Sequence, residues 1–477
     1  MQSASRCTGP LSRRRAFLSA GAWIIIAVAA LTSVVILFRT EQKTTGLEMW
    51  TSAREHMVMY TPLLDTWNAE AGENTHPAVH IQLFSGDVLQ RRMMGGFLSD
   101  VPVADLIEVE RSLIGPAFDG PLKDVGFVDL TERLKAEGLY DQFNAPSFSP
   151  WTSRGHIFGL PHDVHPVLLG YRSDIVEAAG IDVSQIKTWD DFARVMLPLT
   201  KDVDASGHPR HYPLNMWYTS IDQMETLVLQ AGGQLFDADD RPVMDSDINA
   251  HVLATAVSWM IGPKRISVDA QEFTASGNQL RLDGYVVCSI MPDWLGGVWK
   301  NDIPGLSGKL KLMPLPAWTP NGRHTSVWGG TMLGLAKASK NFDQAWTFAK
   351  YLYMNKEMAR QLYVTNDIIS PVKSMWKEKF YDVPDPFFSG QPIGRMYIEQ
   401  APNVPRRASS SYNQFGKQRL QDAAKELYDY AESHRIYDAA ALEPEAKIVL
   451  RKAQDEVQLQ INKNVFLAKN TNAGGGS

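Results

Sequence analysis

Three tryptophans near the ends of apolar runs are the residues whose placement most favours ligand chemistry. Trp50 ends an apolar run, Trp294 stands in a loop of proline, aspartate and glycine, and Trp328 precedes the pair Gly329-Gly330. An indole ring stacks on the apolar C–H faces of a sugar, and glycine lets a ligand approach the backbone closely. We therefore expect these five residues to contact a bound carbohydrate, although packing in the core is the alternative for any one tryptophan.

Carboxylate and imidazole groups would supply the hydrogen bonds that the hydroxyls of a sugar require. A carboxylate accepts from two adjacent hydroxyls, so Glu55, Glu108 and Asp163 are candidate ligand contacts, as is His165. Structural roles are the alternatives. Glu55 has capping-box spacing from Ser52. Asp163 can instead cap a turn, and His165 can be a satisfied core histidine.

Short apolar runs alternate with helical stretches after residue 46, which favours a doubly wound α/β sheet with parallel strands. The first predicted strands are residues 47–50, 79–84 and 103–109. Ligands bind beyond the carboxyl ends of the strands in such sheets. Trp50, Ser85, Gly86 and Glu108, which lie at these ends, are therefore expected to line a site.

A second α/β pattern follows the proline-interrupted segment 157–171, which suits a crossover between two lobes. Strand signals return late in the chain after a long helical stretch, so we expect the chain to re-enter the first lobe. The predicted division is 47–162 with 286–336 for one lobe, 163–285 with 337–470 for the other, and 471–477 as a flexible tail. Trp217 of the second lobe is expected to close over the ligand.

The N-terminal residues predict a transmembrane signal anchor. The basic region 1–19, with Arg13, Arg14 and Arg15, precedes an uncharged run at 20–38. As a helix this run is roughly 28 Å long, which matches a bilayer. The positive-inside rule then places everything beyond the tether 39–46 outside the cytoplasm, in the periplasm or at the cell surface. Cleavage of the run as a signal peptide and export by the twin-arginine route stay open.

Composition and cysteine placement exclude several functions. The net charge of -6 provides no broad basic field, so we expect no nucleic acid partner. Cys7 and Cys288 fall on opposite sides of the predicted span, and no Cys/His cluster has metal-ligand spacing, so we expect no disulfide, metal or cofactor. Local glycosidase, nucleophile-elbow, phosphate-loop and metalloprotease patterns are also missing from the sequence, which argues against an enzyme.

Seven stretches occur in an order that is more specific than any one of them. They are Gly159–Pro161, Thr188–Phe192, Gln230–Phe236, Cys288–Gly297, Met313–Pro316, Val327–Leu335 and Asn341–Trp346. In this order they resemble the family 1 extracellular solute-binding proteins, the maltose-binding-protein-like receptors of sugar ABC importers. Asp163 and His165 lie where the hinge strand of that family commonly supplies a carboxylate.

The resemblance implies a two-lobed periplasmic-binding-protein-like fold of type II, whose lobes close over a sugar. It also implies that the closed form docks on the permease subunits of an ABC importer. We expect a monomer that delivers its ligand in this way. A secreted carbohydrate-active enzyme and a membrane-tethered ligand sensor with the same fold are the alternatives.

Overall fold

The computed structural model describes residues 19–37, 46–99 and 101–464. The chain forms two compact units, residues 1–45 and residues 46–477. The described part of the first unit contains the helix α1 (Ala20–Leu37). Among the described residues no helix is both long and apolar enough to cross a membrane, so the predicted span is not confirmed. Residues 1–18 with Cys7, Phe38, the tether residues 39–45 and the tail 471–477 lie outside the described residues.

The second unit alternates short strands with helices, as the apolar pattern predicts. The strands are β1 (Leu47–Thr51), β2 (Val79–Leu83), β3 (Leu106–Glu110), β4 (Thr152–Ser153), β5 (His156–Ile157), β6 (Leu160–Pro161), β7 (Val167–Arg172), β8 (Tyr212–Asn215), β9 (Ser267–Val268), β10 (Val286–Pro292), β11 (Leu310–Pro314) and β12 (Thr331–Leu335). The helices are α2 (Arg54–Ala69), α3 (Gly86–Leu98), α4 (Arg111–Ile114), α5 (Thr131–Ala136), α6 (Ser173–Ala178), α7 (Trp189–Met196), α8 (Ile221–Ala231), α9 (Asp247–Met260), α10 (Ala275–Leu282), α11 (Asp293–Asp302), α12 (Phe342–Tyr353), α13 (Lys356–Asn366), α14 (Ile393–Gln400), α15 (Asn413–His434) and α16 (Ala439–Asn462).

Local side-chain chemistry sets several helix ends. Thr188 and Asp191 form a reciprocal capping box at the start of α7, and Ser246 caps α9 by accepting from the Asn249 amide. Helix α8 ends at Gly232, whose φ of +93° is a left-handed conformation that glycine adopts without strain. These signals set where α7 and α9 begin and where α8 ends.

Two five-stranded sheets form the centres of two lobes. The sheet of lobe 1 has the order β2-β1-β3-β12-β6, and the sheet of lobe 2 has the order β11-β7-β10-β8-β9. Strands β1, β2 and β3 are parallel, as are β8, β9 and β10. Strand β12 in lobe 1 and strand β7 in lobe 2 run antiparallel to both of their neighbours. The sheets are therefore mixed, with a parallel half in each.

The predicted division of the chain between the lobes needs correction. Strands β10 and β11 flank β7 in the sheet of lobe 2, although residues 286–336 were expected in lobe 1. The chain returns to the first sheet only with β12, which pairs with β3. Helix α12 was expected in lobe 2 but packs its apolar face on lobe 1, whereas α15 and α16 cover lobe 2.

Four buried clusters cover the two faces of each sheet. Alternation along the strands sends Leu106 to one face of the first sheet and Ile107 to the other. In the second sheet Leu169 and Leu168 divide in the same way. Because both faces are buried, each sheet is rigid and holds the residues at its strand ends in fixed positions.

Candidate functional site

The candidate site is built from the sheet edges at which the parallel strands end. The carboxyl end of β3 meets the start of β12, where Glu110 pairs with Thr331. The carboxyl end of β10 meets the start of β7, where Pro292 pairs with Val167. The chain passes between these two edges at residues 162–166 and again at residues 315–330. Residues that follow the strands of both lobes are therefore brought to one region.

An aromatic group follows the strands of lobe 2 and joins the second crossing segment. The indole N–H of Trp294 donates to the backbone oxygen of Trp328 at 3.0 Å, and the two rings meet edge to face at 5.7 Å. Phe273 lies nearly parallel to Trp294, at 10° and a centroid distance of 6.1 Å. Phe273 is 64% exposed, with a φ of +62°. An exposed aromatic surface of this kind suits the apolar face of a sugar ring.

Phe273 is the member of this aromatic group that sequence reasoning missed. It follows the two-residue strand β9, which is too short to give an alternating pattern. The signal that was available is the Glu272-Phe273-Thr274 stretch just before a helix. Trp294 and Trp328, in contrast, were both predicted ligand contacts; they lie together, and both are half-buried.

Two exposed carboxylates stand at the edge of lobe 1. Glu110 is the last residue of β3, and Glu55 lies in the first turn of α2. The surrounding protein reduces the solvation of Glu110 and raises its pKa, His56 acts in the opposite direction, and the carboxylates of Glu108, Asp163 and Glu55 raise it further. Both carboxylates face solvent at a strand or helix end, so they are free to accept hydrogen bonds from a ligand.

Glu108, the predicted contact on the same strand, lies inside lobe 1 and is hydrogen-bonded there by neighbouring side chains. Its oxygens accept from Thr51 Oγ1 at 2.7 Å, from Tyr353 at 2.9 Å and from Tyr60, and one lies 3.0 Å from His56 Nδ1. Burial acts to raise the pKa of Glu108, but His56 and the hydroxyl donors outweigh it and lower the pKa to about 2. Alternation places Glu110 on the same face of β3 as Glu108, but Glu110 ends the strand and is exposed.

Asp163 and His165 form a buried ion triad with Asp293. His165 Nδ1 lies 2.7 Å from Asp293 Oδ1, and its Nε2 lies 3.0 Å from Asp163 Oδ2. The same Asp163 oxygen accepts from the Thr331 amide at 3.1 Å, and Asp293 Oδ2 accepts from the Ile369 amide at 2.8 Å. Burial lowers the pKa of His165, but the two carboxylates outweigh it and raise the pKa to about 10. The surroundings of Asp163 and His165 therefore fit a structural role better than the predicted contact with a ligand.

Glycines at the start of β12 allow the aromatic group and the triad to pack closely. Gly329 and Gly330 have φ values of +98° and +126°, which favour glycine. A Cβ atom on Gly329 would lie 3.0 Å from both the His165 ring and the Trp294 indole nitrogen, and one on Gly330 would lie 2.9 Å from Arg407 Nη2. Both positions therefore require glycine for packing as well as for conformation.

A charged group that sequence reasoning missed joins the two lobes. Arg111, which follows β3, donates to Glu225 of α8 at 2.7 and 2.9 Å and to Asn413 of α15 at 2.9 Å. Lys417 lies 3.7 Å from Glu225, and Arg407 donates to the Gly329 oxygen at 2.6 Å. Burial and the neighbouring Arg111 lower the pKa of Arg407 to about 9. No local motif marks these residues, because their partners are distant in the sequence.

The remaining predicted contacts are Trp50, Ser85, Gly86 and Trp217. Trp50 is buried in the core of lobe 1, with its ring edge to face with Phe84 at 5.5 Å, so it is a packing residue. Ser85 and Gly86 begin α3 at the end of β2, and Ser85 is exposed. The rings that contact Trp217 are those of Tyr218 and Tyr428, at 5.5 and 5.3 Å. We therefore do not group Trp217 with Trp294.

The sequence of this chain is similar to those of known binding proteins. The family model of the bacterial extracellular solute-binding protein matches residues 60–359. The arabinooligosaccharide-binding protein of Halalkalibacterium halodurans is 22% identical, over 88% of this chain and 90% of that protein. The protein of the same description from Bacillus subtilis is 23% identical, over 71% of this chain and 77% of that protein.

Solved structures show the same fold. The sugar-binding protein MalE from Xanthomonas citri superposes with a TM-score of 0.67 at 18% identity, covering 86% of this chain and 99% of that one. The two-lobed periplasmic-binding-protein-like fold expected from the ordered motifs is thereby confirmed. The chain belongs to the bacterial extracellular solute-binding protein family.

Proposed function

We propose that this protein is the substrate-binding component of an ABC importer and that it binds an oligosaccharide between its lobes. The observation that carries this proposal is the aromatic group Phe273, Trp294 and Trp328, together with the exposed carboxylates Glu55 and Glu110 at a helix start and a strand end of lobe 1. Stacking rings and bidentate acceptors are the two kinds of contact that a sugar uses. The names of the relatives support the same ligand class, since they bind arabinooligosaccharides.

Isothermal titration calorimetry with the purified full-length chain tests the proposal. We expect saturable binding of an arabinooligosaccharide or a related oligosaccharide and no binding of free amino acids. The variant Trp294→Ala should lose most of the affinity, whereas Tyr437→Ala, at an aromatic residue that is 37% exposed and outside the site, should keep it. Binding of none of the oligosaccharides in a broad panel would contradict the proposal.

Release of new reducing ends distinguishes a receptor from a carbohydrate-active enzyme. A receptor returns its ligand unchanged, so incubation of the protein with the bound oligosaccharide should leave the number of reducing ends constant. Continuous turnover by purified protein would replace the receptor proposal with the enzyme alternative.

We propose further that binding is coupled to closure of the lobes and that the closed form delivers the sugar to the permease. A ligand that touches both lobes stabilises the closed arrangement by its difference in affinity for the two states. Small-angle X-ray scattering should therefore show a smaller radius of gyration after saturation with the sugar. An unchanged radius together with calorimetric binding would contradict the coupling.

The N-terminal run at 20–38 supports the final part of the proposal, which is anchoring of a monomer at the outer face of the cytoplasmic membrane. Its support is the sequence, through the uncharged run and the arginines before it. Extraction of membranes with alkaline carbonate should leave the full-length chain in the pellet and release a chain without residues 1–45. Release of both forms would contradict anchoring.

A further inference from the structure

Three metal-ligating side chains converge behind the candidate site. His56 lies in the first turn of α2, Glu108 on β3 and His162 just after β6. One ligand atom from each lies within 4.8 Å of the other two. His56 Nδ1 and Glu108 Oε1 are 3.0 Å apart, close to the roughly 3.3 Å that separates two ligands of a tetrahedral zinc ion. An ion bound by all three atoms would take the place of the hydrogen bond between His56 and Glu108.

His162 provides the independent observation that points to a ligand. Its Nε2 is buried and has no hydrogen-bond partner within the described part of the chain, and the residue is 2% exposed. Its Nδ1 lies 3.2 Å from Asp163 Oδ2. A carboxylate at Nδ1 holds the ring proton there and leaves the lone pair on Nε2, as it does for histidines that bind metals. A buried lone pair without a donor costs free energy, which a cation at this point would recover.

The surrounding residues hold the other two ligands in place. Hydroxyl groups of Thr51 and Tyr353 bond to Glu108 at 2.7 and 2.9 Å, which fixes the orientation of its carboxylate. The rings of His56 and His162 stack at 4.0 Å, so each restricts the other. The His56 side chain is 12% exposed, which provides a path from solvent.

We infer that His56, Glu108 and His162 bind one divalent transition-metal ion of the zinc class. Two imidazole nitrogens and one carboxylate suit Zn²⁺ or Co²⁺, whereas Mg²⁺ and Ca²⁺ prefer sites built from oxygen. The ligands are far apart in the sequence, which is why ligand spacing predicts no metal. The site lies within lobe 1 and does not depend on the identity of the sugar.

Titration of chelator-treated full-length protein with Co²⁺ and then Zn²⁺ tests the inference. We expect visible absorption bands of protein-bound Co²⁺ that saturate at one ion per chain and disappear when Zn²⁺ is added. His162→Gln should weaken the binding of both ions at least tenfold, since loss of even an outer-sphere partner costs about 10- to 100-fold. His80→Gln, at an exposed histidine on β2 of the same lobe, is the matched control and should bind both ions normally.

The wild-type titration alone can overturn the inference. A protein that binds no stoichiometric ion would show that the three residues form a hydrogen-bond network only. Equal binding by His162→Gln and His80→Gln would place the ion elsewhere and overturn it as well. Circular dichroism checks that the variants are folded, and His56→Gln, at the most accessible of the three ligands, gives the same readout if His162→Gln does not fold.

Discussion

The guanidinium of Arg111 pairs with both carboxylate oxygens of Glu225, at 2.7 and 2.9 Å, and the two residues belong to different lobes. Both side chains are largely buried, with exposed fractions of 12% and 8%. Removal of one partner from a buried pair leaves an uncompensated charge. The pair therefore stabilises the contact between the lobes, and it does so without a ligand.

Glu225→Gln should lower the free energy of unfolding by about 3–5 kcal/mol, because Arg111 would remain as a buried cation without its charge partner. Urea unfolding followed by circular dichroism measures the change. Glu132→Gln is the control, since this exposed residue pairs with Lys135 on the surface and should cost under about 1 kcal/mol. Similar losses in both variants would show that the pair between the lobes contributes little.

Phe273→Ala should weaken oligosaccharide binding about tenfold, because stacking and apolar contact over one ring are together worth about 1–2 kcal/mol. Its effect on the melting temperature should be small, since Phe273 is 64% exposed. Calorimetry measures the affinity, and Tyr437→Ala again serves as the control. Unchanged affinity would remove Phe273 from the binding surface.

Replacement by glutamine should affect mainly the stability at Glu108 and mainly the sugar binding at Glu110. Glu108→Gln replaces a buried acceptor of several hydrogen bonds and should lower the free energy of unfolding by about 3 kcal/mol. Glu110→Gln should change it by no more than about 0.5 kcal/mol, since the residue is exposed, but should weaken sugar binding. Chemical unfolding and calorimetry on both variants separate the two effects. A Glu110→Gln variant with full affinity would exclude Glu110 as a ligand contact.

Stability should fall between pH 6.5 and pH 10 because of His165. The folded protein raises the pKa of this group from 6.5 to about 10, so its contribution is fully present below pH 6.5 and is lost as the pH rises through 10. Urea unfolding across this range should show a decreasing free energy. The slope should be smaller in His165→Gln, which carries no titrating imidazole, and equal slopes in the two proteins would contradict the assignment.

Much of the fold could be predicted because the strands of each parallel half are apolar runs bounded by turns. What could not be predicted is the sheet to which a late strand belongs. Strands β10 and β11 pair with β7, which lies more than a hundred residues earlier, and no local pattern records that pairing. The two-residue strand β9 gave no signal because it is too short for an alternating pattern.

Some residues of the candidate site are also recognisable from the neighbouring sequence, whereas others are placed by partners that are distant in the sequence. Trp294, Trp328 and the glycine pair are recognisable from the proline, aspartate and glycine residues around them, and the structure places them together, although Trp294 lies in the first turn of α11 and not in the expected loop. Glu108 lies within β3 and Glu110 ends it, so an error of one or two residues in the predicted strand end decides which carboxylate is expected to be exposed. His165 is placed by Asp293, a partner that only the folded chain brings near.

The ion triad has a mechanical consequence for the movement of the lobes. Asp163 lies in the first crossing segment and bonds to the Thr331 amide at the end of the second, while His165 connects the first segment to Asp293 in lobe 2. Under the proposed closure, two linkers joined in this way would move as one hinge. A sugar that draws the lobes together would then restrict one hinge motion and not two independent linkers, which would reduce the entropy lost on binding.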